Sequence, residues 1–172
     1  MVLASTDLAT GLLVGFSVLF VLGTVWISLT LFVGHWMRRR ASASGGAFQR
    51  AVLWLHHGFA LAPVLWILAA ASLLARAFAS VGEWPRPGRF GWPGDTPSNI
   101  AAESFGAHHS AALALFTATW VSLLAFPPLH LAAKQLLGAR ALVWFVGWLV
   151  TWCVGLWLSV YDGEYGISDW IL

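Results

Sequence analysis

Between Asp7 and Arg38 the chain runs for thirty residues, Leu8 to Met37, without one Asp, Glu, Lys or Arg. As a helix that run rises roughly 45 Å at about 1.5 Å per residue, more than the roughly 30 Å of hydrocarbon in a bilayer. Three further apolar runs follow, at Ala51–Ala79, Phe105–Phe126 and Ala139–Tyr161. Hydrophobic side chains make up 59% of the 172 residues and charged ones 9%, and the mean hydropathy is +0.78. A backbone in lipid must satisfy its own polar groups, which a helix does within one segment. The expectation is an all-α integral membrane protein: a single transmembrane domain over 1–172, a four transmembrane helix bundle with helices over about 8–37, 51–79, 105–126 and 139–161. With so few residues left over there is no room for a soluble domain, so any chemistry belongs in or at the bilayer.

Charge sets the expected orientation. Arg38, Arg39, Arg40 and Arg50 join the first two runs with no acid among them, which marks that loop as cytoplasmic. Lys134 and Arg140 mark the turn between the third and fourth runs in the same way. The N-terminus and the acidic tail with Asp162, Glu164 and Asp169 then lie on the external, periplasmic side, as expected in a bacterial inner membrane. The net charge of +2 follows from these helix-end clusters and leaves no nucleic-acid footprint. Asp7 stands where a cleavable signal would carry a basic region, so the first run is expected to remain in the mature chain. The connector over 80–104, with Pro85, Pro87, Pro93 and Pro97, reads as an external lid or a tryptophan-anchored cap. One cysteine, Cys153, excludes both a disulfide and a cysteine-pair redox motif within the chain.

The candidate chemistry rests on histidine, which is costly in a membrane and therefore a functional candidate by default. His35 lies one turn inside the arginines and His56 about two turns inside Arg50, so their depths differ by roughly 5 Å. His56 shares a face with Ala60, Pro63, Ile67 and Ala70, while His57 points about 100° away. Pro127-Pro128 is expected to end the third helix, leaving His130 just beyond it. On the first run a polar stripe of Ser17, Thr24, Ser28 and His35 is expected to face other helices, unless its hydroxyls bond their own turn. Imidazoles without a thiolate or an intramembrane carboxylate favour haem iron or copper over hard cations. Haem b held by His35 and His56 is the preferred occupant, with copper as alternative and with His57 and His130 as substitute ligands or quinone contacts. The deep tryptophans, Trp26, Trp66, Trp120, Trp148 and Trp152, would cover such a flat cofactor or simply pack. His108 and His109 near the external face are candidates for a second metal or quinone site. The plain alternative for all six is capping or interfacial anchoring.

No phosphate loop, nucleophile elbow or metalloprotease motif is present, and no carboxylate lies at mid-membrane for a proton-coupled carrier. In outline, four spans with histidines near their ends are similar to membrane cytochrome b anchors and small haem-binding membrane proteins. No motif is shared residue by residue, so nothing is carried over from them. The functional expectation is electron transfer with a quinone or a partner subunit. The alternative is a non-catalytic structural or assembly subunit, docking through the small-residue seam Gly147, Thr151, Gly155 and Ser159.

Overall fold

The computed structural model describes residues 3–82 and 97–160. They form four helices, α1 (Leu3–Ala43), α2 (Gly46–Val81), α3 (Pro97–Leu137) and α4 (Arg140–Val160). All four contain segments long and apolar enough to cross a membrane. The expected loop residues 83–96 and the tail 161–172 lie outside the described residues.

Each helix boundary has a local cause. Between α1 and α2, Ser44 and Gly45 make the tight turn, with Gly45 extended as the cap of α2. Gly82 ends α2 in the left-handed region at φ 80°, its N–H bonded to the Phe78 carbonyl at 2.8 Å. Gly138 at φ 57° turns α3 into α4 and donates to the Lys134 carbonyl. A side chain is strained in that conformation, so glycine suits both places.

Two expectations about elements are corrected. Helix α3 begins at Pro97, within the expected loop, because proline suits a first helical turn that lacks a bonded N–H anyway. It also runs straight through Pro127 and Pro128 to Leu137. The two prolines withdraw the bonds to the carbonyls of Leu123 and Leu124, yet packing against the neighbouring helices carries the helix on. At its other end α3 is broken instead at Gly106, whose φ of 37° and ψ of −101° divide it into two helical pieces.

Helix α2 packs most extensively on α3, α1 leans mainly on α3, and α4 covers α2. Three apolar clusters stack along the bundle. Trp66, Ala70, Leu73, Ala77, Ala101 and Ala112 close the half nearer Gly82. Val52, Ala132 and Ala133, with Met37 and Leu137 against them, close the arginine-rich end. Between these lies a cluster of Ala60, Phe126 and Trp148, flanked by Trp144 and Phe145. The alanines let α2 and α3 approach closely, since without a hydrophobic drive in lipid, packing itself must hold helices together.

On α1 the expected polar stripe faces outward. Ser28, Leu31 and His35 are exposed, and Thr24 bonds back to the Phe20 carbonyl at 2.8 Å. The more buried face carries Trp26, Thr30, Gly34, Met37 and Ala41, spaced three and four apart. A Cβ on Gly34 would lie 2.9 Å from the Leu131 Cβ, so glycine is what lets α1 seat on α3.

Candidate functional site

Among the described residues, His56 and Ser122 are the most enclosed polar side chains, both 0% exposed. The face that sequence periodicity assigns His56 is the buried face of α2, with Ala60, Pro63 and Ala70 also buried. Opposite stands His130 of α3, which the unbroken helix places one turn after Phe126 and two after Ser122. His56 Nε2 and His130 Nδ1 are 3.1 Å apart, hydrogen-bonding distance, with the ring planes 32° apart.

The pair sits in an aromatic box. Phe126 packs on both rings, at 5.0 Å from His56 and 5.4 Å from His130. Trp148 stacks behind Phe126 at 4.6 Å, and its indole N–H donates to the Ser122 hydroxyl at 3.1 Å. Ser122 in turn donates to the Thr119 carbonyl at 2.6 Å. Phe145 of α4 closes on His130 at 5.4 Å. Neither Ser122 nor Phe126 stands out as chemistry in the sequence, yet their spacing of four, continued to His130, is the signal that the helix passes the prolines.

His57 diverges from His56, as its place in the helix requires. Its ring meets the edge of Trp144 at 4.6 Å and lines an open groove of about 310 Å³ with Arg50, Leu53 and Trp54. Buried pair and open groove are thus one residue apart on α2.

The tautomers follow from accounting for each nitrogen. His56 Nδ1 is buried and has no hydrogen-bond partner. A buried acceptor left bare costs less than a buried N–H left bare. In the hydrogen-bonded pair, therefore, His56 donates through Nε2 and His130 accepts at Nδ1. Both rings are then neutral and one lone pair of His56 is unused.

His35 is not part of this arrangement. It is exposed, and its Nδ1 accepts from the Arg38 guanidinium at 3.1 Å. At the far end His108 Nε2 lies 2.8 Å from the Ser72 hydroxyl. Ser72 already donates to the Ala69 carbonyl at 2.9 Å, so His108 is the donor to Ser72, which is not activated as a nucleophile. His109 is half-buried, with its Nε2 unpartnered. Among the described residues, no group of three or more His, Cys, Asp or Glu side chains could hold a metal ion.

Of the deep tryptophans, Trp66, Trp120, Trp148 and Trp152 pack on aromatic neighbours. Trp66 meets Phe116 at 5.4 Å and Trp120 meets Trp152 at 5.6 Å. Gly155 is filled from within the chain, because a Cβ there would stand 2.7 Å from the Trp66 ring. Thr151 bonds to the Gly147 carbonyl of its own helix, Gly147 faces open space, and the side chain of Ser159 lies outside the described residues.

No family model, no curated protein and no solved structure matches this chain.

Proposed function

We propose that the chain is an integral membrane protein in which His56 and His130 hold one transition-metal ion, copper in preference to haem iron, for one-electron transfer. The observation that carries this reading is the approach to 3.1 Å of two imidazole nitrogens from different helices, one of the buried His56 and one of the half-buried His130. Two nitrogens each about 2.0 Å from one ion and 3.1 Å from each other subtend roughly 100°, between the square-planar and tetrahedral angles. Axial ligands of a haem stand on opposite sides of the iron, roughly 4 Å apart at the same bond length. The rings as they stand, with Phe126 against both, leave no space for a porphyrin between them. Imidazole binds copper more tightly than zinc, nickel or iron of the same charge.

The ion would take the place of the hydrogen bond between the two rings. The one ring hydrogen of His56 would then sit on Nδ1 instead of Nε2, where it finds no acceptor among the described residues. A stranded buried donor costs about 1–3 kcal/mol, against apparent metal-binding energies that reach about 10 kcal/mol in full four-ligand sites. Two imidazoles supply part of that energy, which must exceed the cost of the stranded donor for the ion to bind. Further ligands come from a solvent molecule or the redox partner. The groove at His57 and Arg50, next to the pair, offers N–H donors to the carbonyl oxygens of a quinone, with Leu53 and Trp54 as its apolar walls. The cluster of basic residues at this end supports a site near the cytoplasmic face, with the termini outside.

Elemental analysis and an absorption spectrum of protein purified from copper-supplemented cells test the proposal. Close to one copper per chain, lost on His130→Ala and kept on His35→Ala, is the expected result. A Soret band would replace copper by haem, and a colourless, metal-free chain would remove the redox reading.

A second reading, an assembly subunit without chemistry, draws on α1, whose most apolar segment has no fully buried residue. It expects a defined complex that survives His56→Ala and His130→Ala but dissociates when Phe16 and Phe20, both exposed, are made polar.

A further inference from the structure

At the arginine-rich end the fold gathers more positive charge than any one loop carries. Arg38, Arg39, Arg40 and Arg50 flank the α1–α2 turn, and Lys134 and Arg140 flank the α3–α4 turn. The packing of Met37, Val52, Ala133 and Leu137 in one cluster brings the two turns to the same end. There is no Asp or Glu anywhere in 8–82 or 104–161, so no carboxylate of these helices neutralises them. Six basic residues fall within the roughly four to eight that mark recognition of anionic lipid, whereas the arginine triplet alone does not.

Part of this charge lines a cleft. Between the end of α1 and the end of α3, Arg38, Arg39, Ser42 and Gln135 border a space of about 380 Å³. Its walls are fixed. Gly34 seats α1 directly on Leu131 and the Pro128 carbonyl one turn below. The Gln49 amide ties the Ala41 carbonyl to α2 at 2.9 Å, and Ser42 bonds back to the Arg38 carbonyl. His35 holds one nitrogen of the Arg38 guanidinium, which gives the exposed histidine a role as positioning residue. Arg40 is committed elsewhere, over the Trp36 ring at 5.5 Å.

We infer that this α1–α3 cleft binds the phosphodiester headgroup of an anionic phospholipid of the cytoplasmic leaflet, through Arg38, Arg39 and the Gln135 amide. Two guanidinium forks supply only donors and the Gln135 side chain adds the two N–H of its amide, which suits a phosphodiester whose oxygens only accept. Arginine's planar fork grips phosphate oxygens in pairs. The cleft opens at the level where headgroups lie, because the apolar span of α1 stops at Met37. The inference rests on the membrane reading of the helices and not on the histidine pair.

Native mass spectrometry of the full chain released from detergent, titrated with phosphatidylglycerol or phosphatidylcholine, tests it. The expected result is one tightly held phosphatidylglycerol, bound roughly thirty-fold more weakly by the Arg38→Gln/Arg39→Gln variant. Arg40→Gln/Arg140→Gln, which removes the same charge outside the cleft, changes affinity less than about three-fold if the cleft is the site. Arg38→Lys/Arg39→Lys restores part of the binding and shows that loss is not misfolding. Equal loss in both glutamine pairs, or none in the first, overturns the inference. Binding of inorganic phosphate with the same arginine dependence, but no preference for phosphatidylglycerol over phosphatidylcholine, overturns the lipid as its source.

Discussion

Replacing His130 by phenylalanine isolates the hydrogen bond at the centre of the bundle. His56 is wholly buried and already has one nitrogen without a partner. His130→Phe leaves its second nitrogen stranded as well, at a cost of about 1–3 kcal/mol for an unpaired buried polar group. His56→Phe strands the Nδ1 of His130, which is only half-buried, so its cost belongs at the lower end of that range, near about 1 kcal/mol. The double variant removes both orphans and sets two phenyl rings beside Phe126, which already packs on each histidine. Its cost should therefore fall below the sum of the two. Interhelical hydrogen bonds in membrane bundles couple by about 0.6 kcal/mol on average and about 1.7 at most. Full burial on the His56 side argues for roughly 1 kcal/mol here. The assay is reversible unfolding in mixed micelles of increasing SDS fraction, with a chelator present so that metal does not contribute. Additivity of the two single variants within about 0.3 kcal/mol would refute the contact.

Three other perturbations probe separate parts of the account. Gly155→Leu drives a side chain into the Trp66 ring, which is 1% exposed and cannot retreat; micelle unfolding should show a loss of about 1–3 kcal/mol, while Gly147→Leu, facing open space, should show little. Ser122→Ala removes the acceptor of the buried Trp148 indole and should cost about 1–3 kcal/mol by the same assay, with a shift in tryptophan emission. Copper binds neutral imidazole in competition with protons, so copper kept through dialysis should fall as the pH is lowered and never rise.

How far the sequence led depends on the kind of signal. Thirty uncharged residues and three similar runs are a property of composition, so the four helices follow from hydropathy alone. The inward aim of His56 also follows, because its face carries Ala60, Pro63 and Ala70. Depth alone pairs His35 with it, and depth says nothing about which way a side chain points around the helix. On α1 the small residue Gly34 takes the contact with α3, which turns its neighbour His35 outward to Arg38. The sequence makes His130 only a substitute ligand, beyond the expected end of the helix at Pro127-Pro128. The tertiary contacts of Leu129, Ala132 and Ala133, all buried, hold α3 together beyond them. The basic cleft needed the third dimension, since Gln135 is nearly a hundred residues from Arg38.

The most direct test of the copper proposal is pulsed electron paramagnetic resonance of the protein loaded with one equivalent of Cu(II), counting bound imidazoles. The account expects two equatorial imidazoles in the native chain, one or none in His56→Phe and His130→Phe, and two in His35→Ala. Two imidazoles persisting in His130→Phe, or disappearing in His35→Ala, would contradict it.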